Sequence, residues 1–331
     1  MATTVTERRT LRLPVLTNPL RPLLLAAAGS ARLQRVVTGL PVSRAVVRRY
    51  VPGAGQDAVV EATEQILASG RAISIDHLGE DTSDPSQAEA TVQAYLELLE
   101  AFGRLDGPAR DGVPQLEVSL KLSALGQFIP EVGHDLALEN ARRVCRAADR
   151  VGAWVNVDAE DHTTTDSTLA IVRELRMDHP EVATVLQAYL RRTEADCRAL
   201  AGPGSRIRLC KGAYAEPADV AYQQGHEVDA SYRRCLEVLF AGQGYPMVAS
   251  HDPAMIEAAL ALAERLGKSK DAYELQMLYG IRDDEQRRLA AAGHTMRVYT
   301  PYGDQWYGYF MRRLAERPAN LLFFARSLIS R

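Results

Sequence analysis

The sequence predicts an α/β fold: a (β/α)8 barrel preceded by an N-terminal helical arm. Three observations carry that prediction. Eight short β-rich runs recur along the chain, helical patterns separate them, and nearly every run ends on a polar or ionisable side chain. Strand and helix alternating eight times call for parallel strands joined by right-handed crossovers, and eight such units can close on themselves.

The chain begins with a segment of different character. The first fifty residues hold nine arginines, no lysine and a single acid, Glu7, whereas the chain as a whole carries a net charge of -3. Residues 1–70 are expected to form the arm, with a helix over 57–69 whose apolar positions are Val60, Ile66 and Leu67 and which ends at Gly70. The arm packs on the main domain or, alternatively, rests its basic face on an anionic membrane surface. The apolar stretch 23–28 is too short for a secretory signal and Pro22 interrupts its approach. No run reaches the length of a membrane span.

Composition excludes some partners. With 47% hydrophobic and 24% charged residues the chain is ordinary globular material, and without a basic patch interleaved with aromatics no nucleic-acid partner is expected. Cys145, Cys197, Cys210 and Cys235 show neither a C-x-x-C pair nor the spacing of a secreted scaffold, which predicts reduced thiols and a cytoplasmic protein.

Residues 71–331 are expected to form the barrel. The β-rich runs are 72–78, 116–122, 154–158, 184–189, 207–210, 247–250, 273–278 and 296–299; helical patterns between them include 87–104, 135–151, 253–266 and 283–292. An open doubly wound sheet is the alternative, but no G-x-G-x-x-G follows the early strands.

The last unit, RVYTPYGDQWYGYFMRRLAE at 297–316, is the most informative. Arg297 to Tyr299 read as strand, Pro301 and Gly303 as its break, and Asp304 as the N-cap of a helix. On that helix Tyr309, Arg312, Arg313 and Glu316 share one face. Adjacent arginines one turn beyond a tyrosine can fork a carboxylate with charge-assisted hydrogen bonds. An amphipathic surface helix with solvated arginines is the plainer alternative.

Barrel enzymes build their sites at the C-terminal ends of the strands. Those ends offer His77 and Glu80, Lys121, Asp158 with Glu160, Gln187, Arg208 with Lys211 and Tyr214, His251, Gln276, and Tyr299. Such a succession, within runs that otherwise bury, points to a large polar ligand on the mouth.

At these residues the chain resembles the monofunctional proline dehydrogenases, a flavoenzyme family related to the first domain of bifunctional proline-catabolic enzymes. The matching motifs are SLKLSALG at 119–126, VNVDAED at 155–161, LQAYLRR at 186–192, RLCKGAY at 208–214, SHD at 250–252, YELQMLYG at 273–280 and YFMRRLAE at 309–316. Together they span the chain from about residue 72 onward. The resemblance implies a distorted (β/α)8 barrel with FAD on its C-terminal face and the last helix over the mouth. It implies oxidation of L-proline to Δ1-pyrroline-5-carboxylate, electrons passing to a membrane quinone, and a separate pyrroline-5-carboxylate dehydrogenase as partner.

Residue roles follow from the same resemblance. Lys121, Arg312 and Arg313 match the grip on the proline carboxylate, and Tyr214, Leu278, Tyr299 and Tyr309 the wall around its ring. Asp158 is expected to balance Lys121, since a buried lysine without a carboxylate tends to lose its proton. Arg208 matches the residue beside flavin N5, where positive charge favours reduced flavin. Gln187, Lys211, His251 and Glu316 match further cofactor contacts, with Gly212, Ala213 and Tyr279 along its length. Cys210 replaces a common aliphatic residue and is expected to act as one. Glu80 resembles the acid that pairs with the first helix arginine and gates the site, although adjacent Asp81 competes for that role. Two rival chemistries remain: a metal site on Asp158, Glu160 and His162 with His251 and Asp252, and a Schiff-base lysine at Lys121 or Lys211. A non-catalytic interaction protein has no use for so many polar strand ends.

Overall fold

The computed structural model describes residues 49–105 and 112–316, with side chains as far as Arg312. The basic stretch of the expected arm, residues 1–48, lies outside this range. Eight parallel strands, β1 (Ala72–His77), β2 (Leu116–Leu120), β3 (Trp154–Val157), β4 (Ala183–Gln187), β5 (Arg206–Cys210), β6 (Tyr245–Ala249), β7 (Glu274–Leu278) and β8 (Met296–Tyr302), pair in sequence order. β8 returns to β1 and closes the barrel.

Helix α1 (Gln56–Ala68) precedes the barrel. Helices α2 (Pro85–Phe102), α3 (Gly133–Arg150), α4 (Thr165–Asp178), α5 (Thr193–Leu200), α6 (Gly225–Ala241), α7 (Pro253–Arg265) and α8 (Asp283–Ala291) follow β1 to β7 in turn, and α9 (Trp306–Glu316) follows β8. Local chemistry sets several of their starts. Asp84 and Asp252 accept hydrogen bonds from Ser86 N at 2.8 Å and Ala254 N at 3.0 Å, each with proline at the first helical position.

The period of two divides each strand's side chains between helix layer and barrel axis. Ile73, Ile75, Leu116, Val118 and Leu120 join Val92, Tyr95 and Leu99 of α2 and Ala141 and Val144 of α3 in one apolar cluster. Ile207, Leu209, Val248 and Leu275 join Leu236, Phe240, Ile256 and Leu289 in a second. Val59 and Ile66 of α1 enter the first cluster, so this helix shares the barrel's own core. Among the described residues no helix is long and apolar enough to cross a membrane.

The C-terminal unit departs from its expected boundaries. β8 runs through Pro301 to Tyr302, where Pro301 and Tyr302 pair with Asp76 and His77 of β1. Pairing with β7 has already stopped at Leu278 opposite Tyr299, so beyond Tyr299 the strand is an edge and tolerates a residue without an N–H. Helix α9 begins at Trp306, which places Asp304 two residues ahead of the first helical residue and outside the N-cap position. The helix packs Tyr307, Phe310 and Met311 on Tyr50, Val51 and Leu78, and so lies over the end of β1 at the barrel mouth.

Candidate active site

A barrel of this type ordinarily stacks Val, Ile and Leu along its axis. Here the axis is ionic. Arg208 donates through Nη1 to Ser119 Oγ and Asp158 Oδ1, both at 2.9 Å, and through Nη2 to Ser74 Oγ at 3.0 Å and Glu117 Oε1 at 2.6 Å. The other oxygen of Glu117 accepts from Arg206 Nη2 at 2.6 Å, and the Arg206 guanidinium lies 3.4 Å from the centre of the Trp154 ring. Arg297 forks Glu274 at 2.8 and 3.0 Å. Burial alone would raise the Glu117 carboxyl, but Arg297, Arg208 and Arg206 pull its pKa down to about 2. The four axial cations, including Lys121, are matched by Asp76, Glu117, Asp158 and Glu274.

Toward the mouth the network becomes chemically distinctive. Lys121 Nζ donates to Asp76 Oδ2 and stands 4.0 Å from Asp158 Oδ2. The Tyr299 hydroxyl sits 2.8 Å from Oδ2 of each carboxylate and bridges them. Asp76, absent from the expected set, is thus the near partner of Lys121, with Asp158 a secondary one. Its signal in the sequence was an acid two residues beyond Ser74 in an otherwise apolar strand. Burial would depress the Lys121 ammonium, but Asp76 and Asp158 outweigh it and hold the pKa above its usual value. An ammonium so held is no amine nucleophile, which removes the basis of a Schiff base at this position.

Above this layer lies α9. Arg312 forks Glu80, Nη2 to Oε1 at 2.6 Å and Nη1 to Oε2 at 3.1 Å, and its guanidinium carbon stands 5.8 Å from the centre of the Tyr214 ring. Burial works against charge on both partners. Even so, Glu80 holds the guanidinium above its ordinary value, while Arg312 and Lys121 hold the Glu80 carboxyl below its own. Of the two adjacent acids, Glu80 takes the arginine and Asp81 is exposed. Tyr309 is buried beneath the helix. The side chains of Arg313 and Glu316 lie outside the described ones.

On the opposite side of the mouth, Gln187 donates from Nε2 to the Glu160 carbonyl at 2.7 Å, and Lys211 lies between Asp229 at 2.5 Å and Asp252 at 2.7 Å. Gly212, at φ 109°, passes so close to Tyr189 that a Cβ there would meet its ring at 2.2 Å; only glycine fits. Ala213 and Tyr214 follow it, half-buried. His251 Nε2 accepts from Leu278 N at 2.9 Å, which fixes a neutral ring with its proton on Nδ1 and ties this histidine to a wall residue. Arg208 Nε is buried without a partner among the described residues. An amide, a guanidinium with one donor to spare, an ammonium and an imidazole suit FAD, a ligand edged by acceptors and carrying a pyrophosphate.

Some expected members are elsewhere. His77 packs edge-on against Tyr95 and Tyr302, under α2. Gln276 is buried on the axis, bonded to Glu274. Tyr279, next in sequence to Leu278 and therefore on the other side of the backbone, lines a cavity of about 250 Å³ with Arg71, Ile66 and Asp283. The proposed metal triad also separates. Asp158 bonds Arg208, Glu160 bonds Ser123, and His162 Nδ1 bonds Glu216.

Glu160 is buried, and desolvation lifts its carboxyl to about 7 despite hydrogen bonds from Ser123. The folded protein therefore favours the protonated form. That contribution is complete below the ordinary value of 4.5 and is lost as pH rises through about 7. Unfolding free energies of the parent and of Glu160→Gln should diverge across this window, the parent losing about 3 kcal/mol relative to the variant. Denaturant titrations at pH 4.5 and 8 measure it; a constant difference would show that Glu160 titrates normally.

Comparison with known proteins then adds a family. A model described as proline dehydrogenase matches residues 59–326. A proline dehydrogenase of Deinococcus radiodurans is 39% identical over 288 residues, covering 86% of this chain and 90% of that one. Proline dehydrogenase 2 of Bacillus subtilis is 35% identical over 281 residues, 85% and 89% of the two chains. Among solved structures, proline utilization A from Bdellovibrio bacteriovorus, inactivated by N-propargylglycine, aligns with a TM-score of 0.75 at 25% identity. That alignment covers 90% of this chain and 36% of the longer protein.

Proposed function

The chain belongs to the proline dehydrogenase family, and on that premise we propose that it oxidises L-proline to Δ1-pyrroline-5-carboxylate, the first step of proline catabolism. One observation carries the proposal: a continuous chain of contacts from Arg208 through Asp158 and Tyr299 to Asp76 and Lys121, roofed by Arg312. Such a layer can orient a small zwitterion and hold charge fixed around it.

The reaction removes a hydride from a ring carbon and a proton from nitrogen. FAD, when bound, accepts the hydride at N5. The protein's own share is orientation, because a reacting C–H bond must be held close to and in line with its acceptor. Lys121, Arg312 and Arg313 take the carboxylate, the one strong handle on a five-membered ring. Lys121 is suited to this because its neighbours keep it charged. Tyr214, Leu278, Tyr299 and Tyr309 close around the ring. Tyr299 does so with its hydroxyl already committed to two carboxylates, which fixes its plane. Arg208, whose Nε is buried without a partner among the described residues, would hold the cofactor, with Gln187, Lys211, Gly212, Ala213, His251 and Glu316 as further contacts.

The Arg312–Glu80 pair acts as a gate that opens to admit proline. Electrons leave to a membrane quinone, reached from the cytoplasmic side by peripheral contact through the basic N-terminal segment, and the product passes to a separate pyrroline-5-carboxylate dehydrogenase.

Purified protein is expected to be yellow and to bleach when L-proline is added without oxygen. Absorption spectra before and after addition test both statements. A protein that neither carries flavin nor takes up FAD on reconstitution excludes the proposed chemistry.

A further inference from the structure

We propose that Glu160 is a positioning residue for the gate: through Ser123 it fixes the loop that carries Glu80. The inference rests on the gate proposed above and extends it to a buried carboxylate that touches none of the groups assigned to substrate.

Ser123 is the joint. Its backbone N–H donates to Glu160 Oε1 at 3.1 Å and its hydroxyl donates to Glu160 Oε2. The same hydroxyl accepts from Asp81 N at 3.1 Å, and the Ser123 carbonyl accepts from Thr82 N at 3.1 Å. The two residues after Glu80 are therefore pinned to one serine, and that serine is oriented by Glu160. Glu160 is anchored in turn by the bond from Gln187 Nε2 to its carbonyl. Loops following β1, β2 and β3 and the end of β4 meet in this joint.

The loop needs such a hold. Asp81 has φ 57°, in the left-handed region, which aspartate tolerates better than most residues but at some cost that the bonds from its N–H and that of Thr82 to Ser123 offset. Glu80 directly precedes this turn, so release of the Asp81 N–H frees the carboxylate that Arg312 grips. Ionised Glu160 accepts both Ser123 bonds. Once protonated on Oε2 it turns a donor toward the serine hydroxyl, which can take it only on its remaining lone pair and must then aim its own proton elsewhere, away from the geometry that holds Asp81 N. Glutamine imitates the protonated form.

The charged and titratable groups that act on Glu160 are Lys121 beside Ser123 and Glu80 from the β1 loop, and Glu160 in turn acts on Tyr214 of the β5 loop. Lys121 favours its ionised form and Glu80 opposes it.

The test compares proline KM and kcat in the flavin-loaded parent, Glu160→Gln, Ser123→Ala, Glu80→Gln and the Glu80→Gln/Glu160→Gln double variant. Glu160→Gln and Ser123→Ala are each expected to raise KM about three- to tenfold at pH 8 with kcat within about twofold of the parent. Parent KM should rise as pH falls below about 7, while KM of Glu160→Gln stays high and flat from pH 6 to 8. In the Glu80→Gln background the second substitution should add nothing, since both act through one carboxylate. If Glu80→Gln itself leaves KM unchanged, the gate fails. If Glu80→Gln raises KM while Glu160→Gln and Ser123→Ala do not, or if the effects multiply in the double variant, the positioning role fails and the gate stands. Should Glu160→Gln not accumulate as folded protein, Ser123→Ala, which removes one hydroxyl, decides alone.

Discussion

Replacement of Arg312 by methionine is expected to lower kcat/KM for L-proline about a hundredfold or more while leaving flavin content near the parent level. Methionine keeps the helix propensity and much of the apolar stem. It removes two charge-assisted hydrogen bonds, each worth roughly 1.5–3 kcal/mol, at about 1.4 kcal/mol per tenfold in rate. The same guanidinium forks Glu80 and faces the Tyr214 ring, so the change also leaves a half-buried carboxylate with Lys121 as its remaining cation. Proline titrations at matched flavin loading measure the effect. A loss below about twofold would mean that the carboxylate is gripped elsewhere.

Much of this geometry was legible in the sequence. Alternation of eight β-rich runs with helices predicts the barrel, whereas the helix over the mouth is implied only by the family resemblance of YFMRRLAE, since the shared face of Tyr309, Arg312, Arg313 and Glu316 fits a solvated helix equally well. Boundaries depart from local propensity where neighbours decide them. Pro301 looks like a strand breaker, yet it falls just where β7 no longer asks for an N–H. Strand-end lists also mix the two faces of a strand. Leu278 and Tyr279 are adjacent in sequence but lie on opposite sides of the backbone, so only one can wall the mouth.

The barrel axis is legible in the sequence only in part. Ser74 and Asp76, Glu117 and Ser119, Asn156 and Asp158, Arg206 and Arg208, and Glu274 and Gln276 are spaced by two in runs that otherwise bury. That spacing states that one face of each of these five strands is polar, and in a closed barrel that face is the interior. What the sequence does not state is which cation meets which acid. Glu117 reaches both Arg206 and Arg208 across the barrel from β5, a pairing set only by closure of the sheet.

Glu117→Gln therefore carries the largest expected cost in stability. Glu117 is fully buried and answers two guanidinium groups at 2.6 Å, so its loss leaves two buried cations short of a counter-charge. Breaking a buried pair in this way costs roughly 3–5 kcal/mol. At about 2 °C per kcal/mol for a chain of this size, the midpoint of thermal unfolding should fall by roughly 5–10 °C. Its depressed pKa gives the difference a direction in pH. The stability that Glu117 supplies is complete above the ordinary carboxyl value of 4.5 and is lost as pH falls through the folded value of about 2, so parent and variant should begin to converge below about pH 4.5 and meet only near pH 2. The exposed pair of Arg104 and Glu100 is the control, where Glu100→Gln should cost less than about 1 kcal/mol. Calorimetric midpoints at pH 7.5 and across the range from about 4.5 to 2.5 for the three proteins separate the cases. A Glu117→Gln variant as stable as Glu100→Gln at pH 7.5 would mean that the two axial arginines find their counter-charge in Asp158 and Glu274 without it.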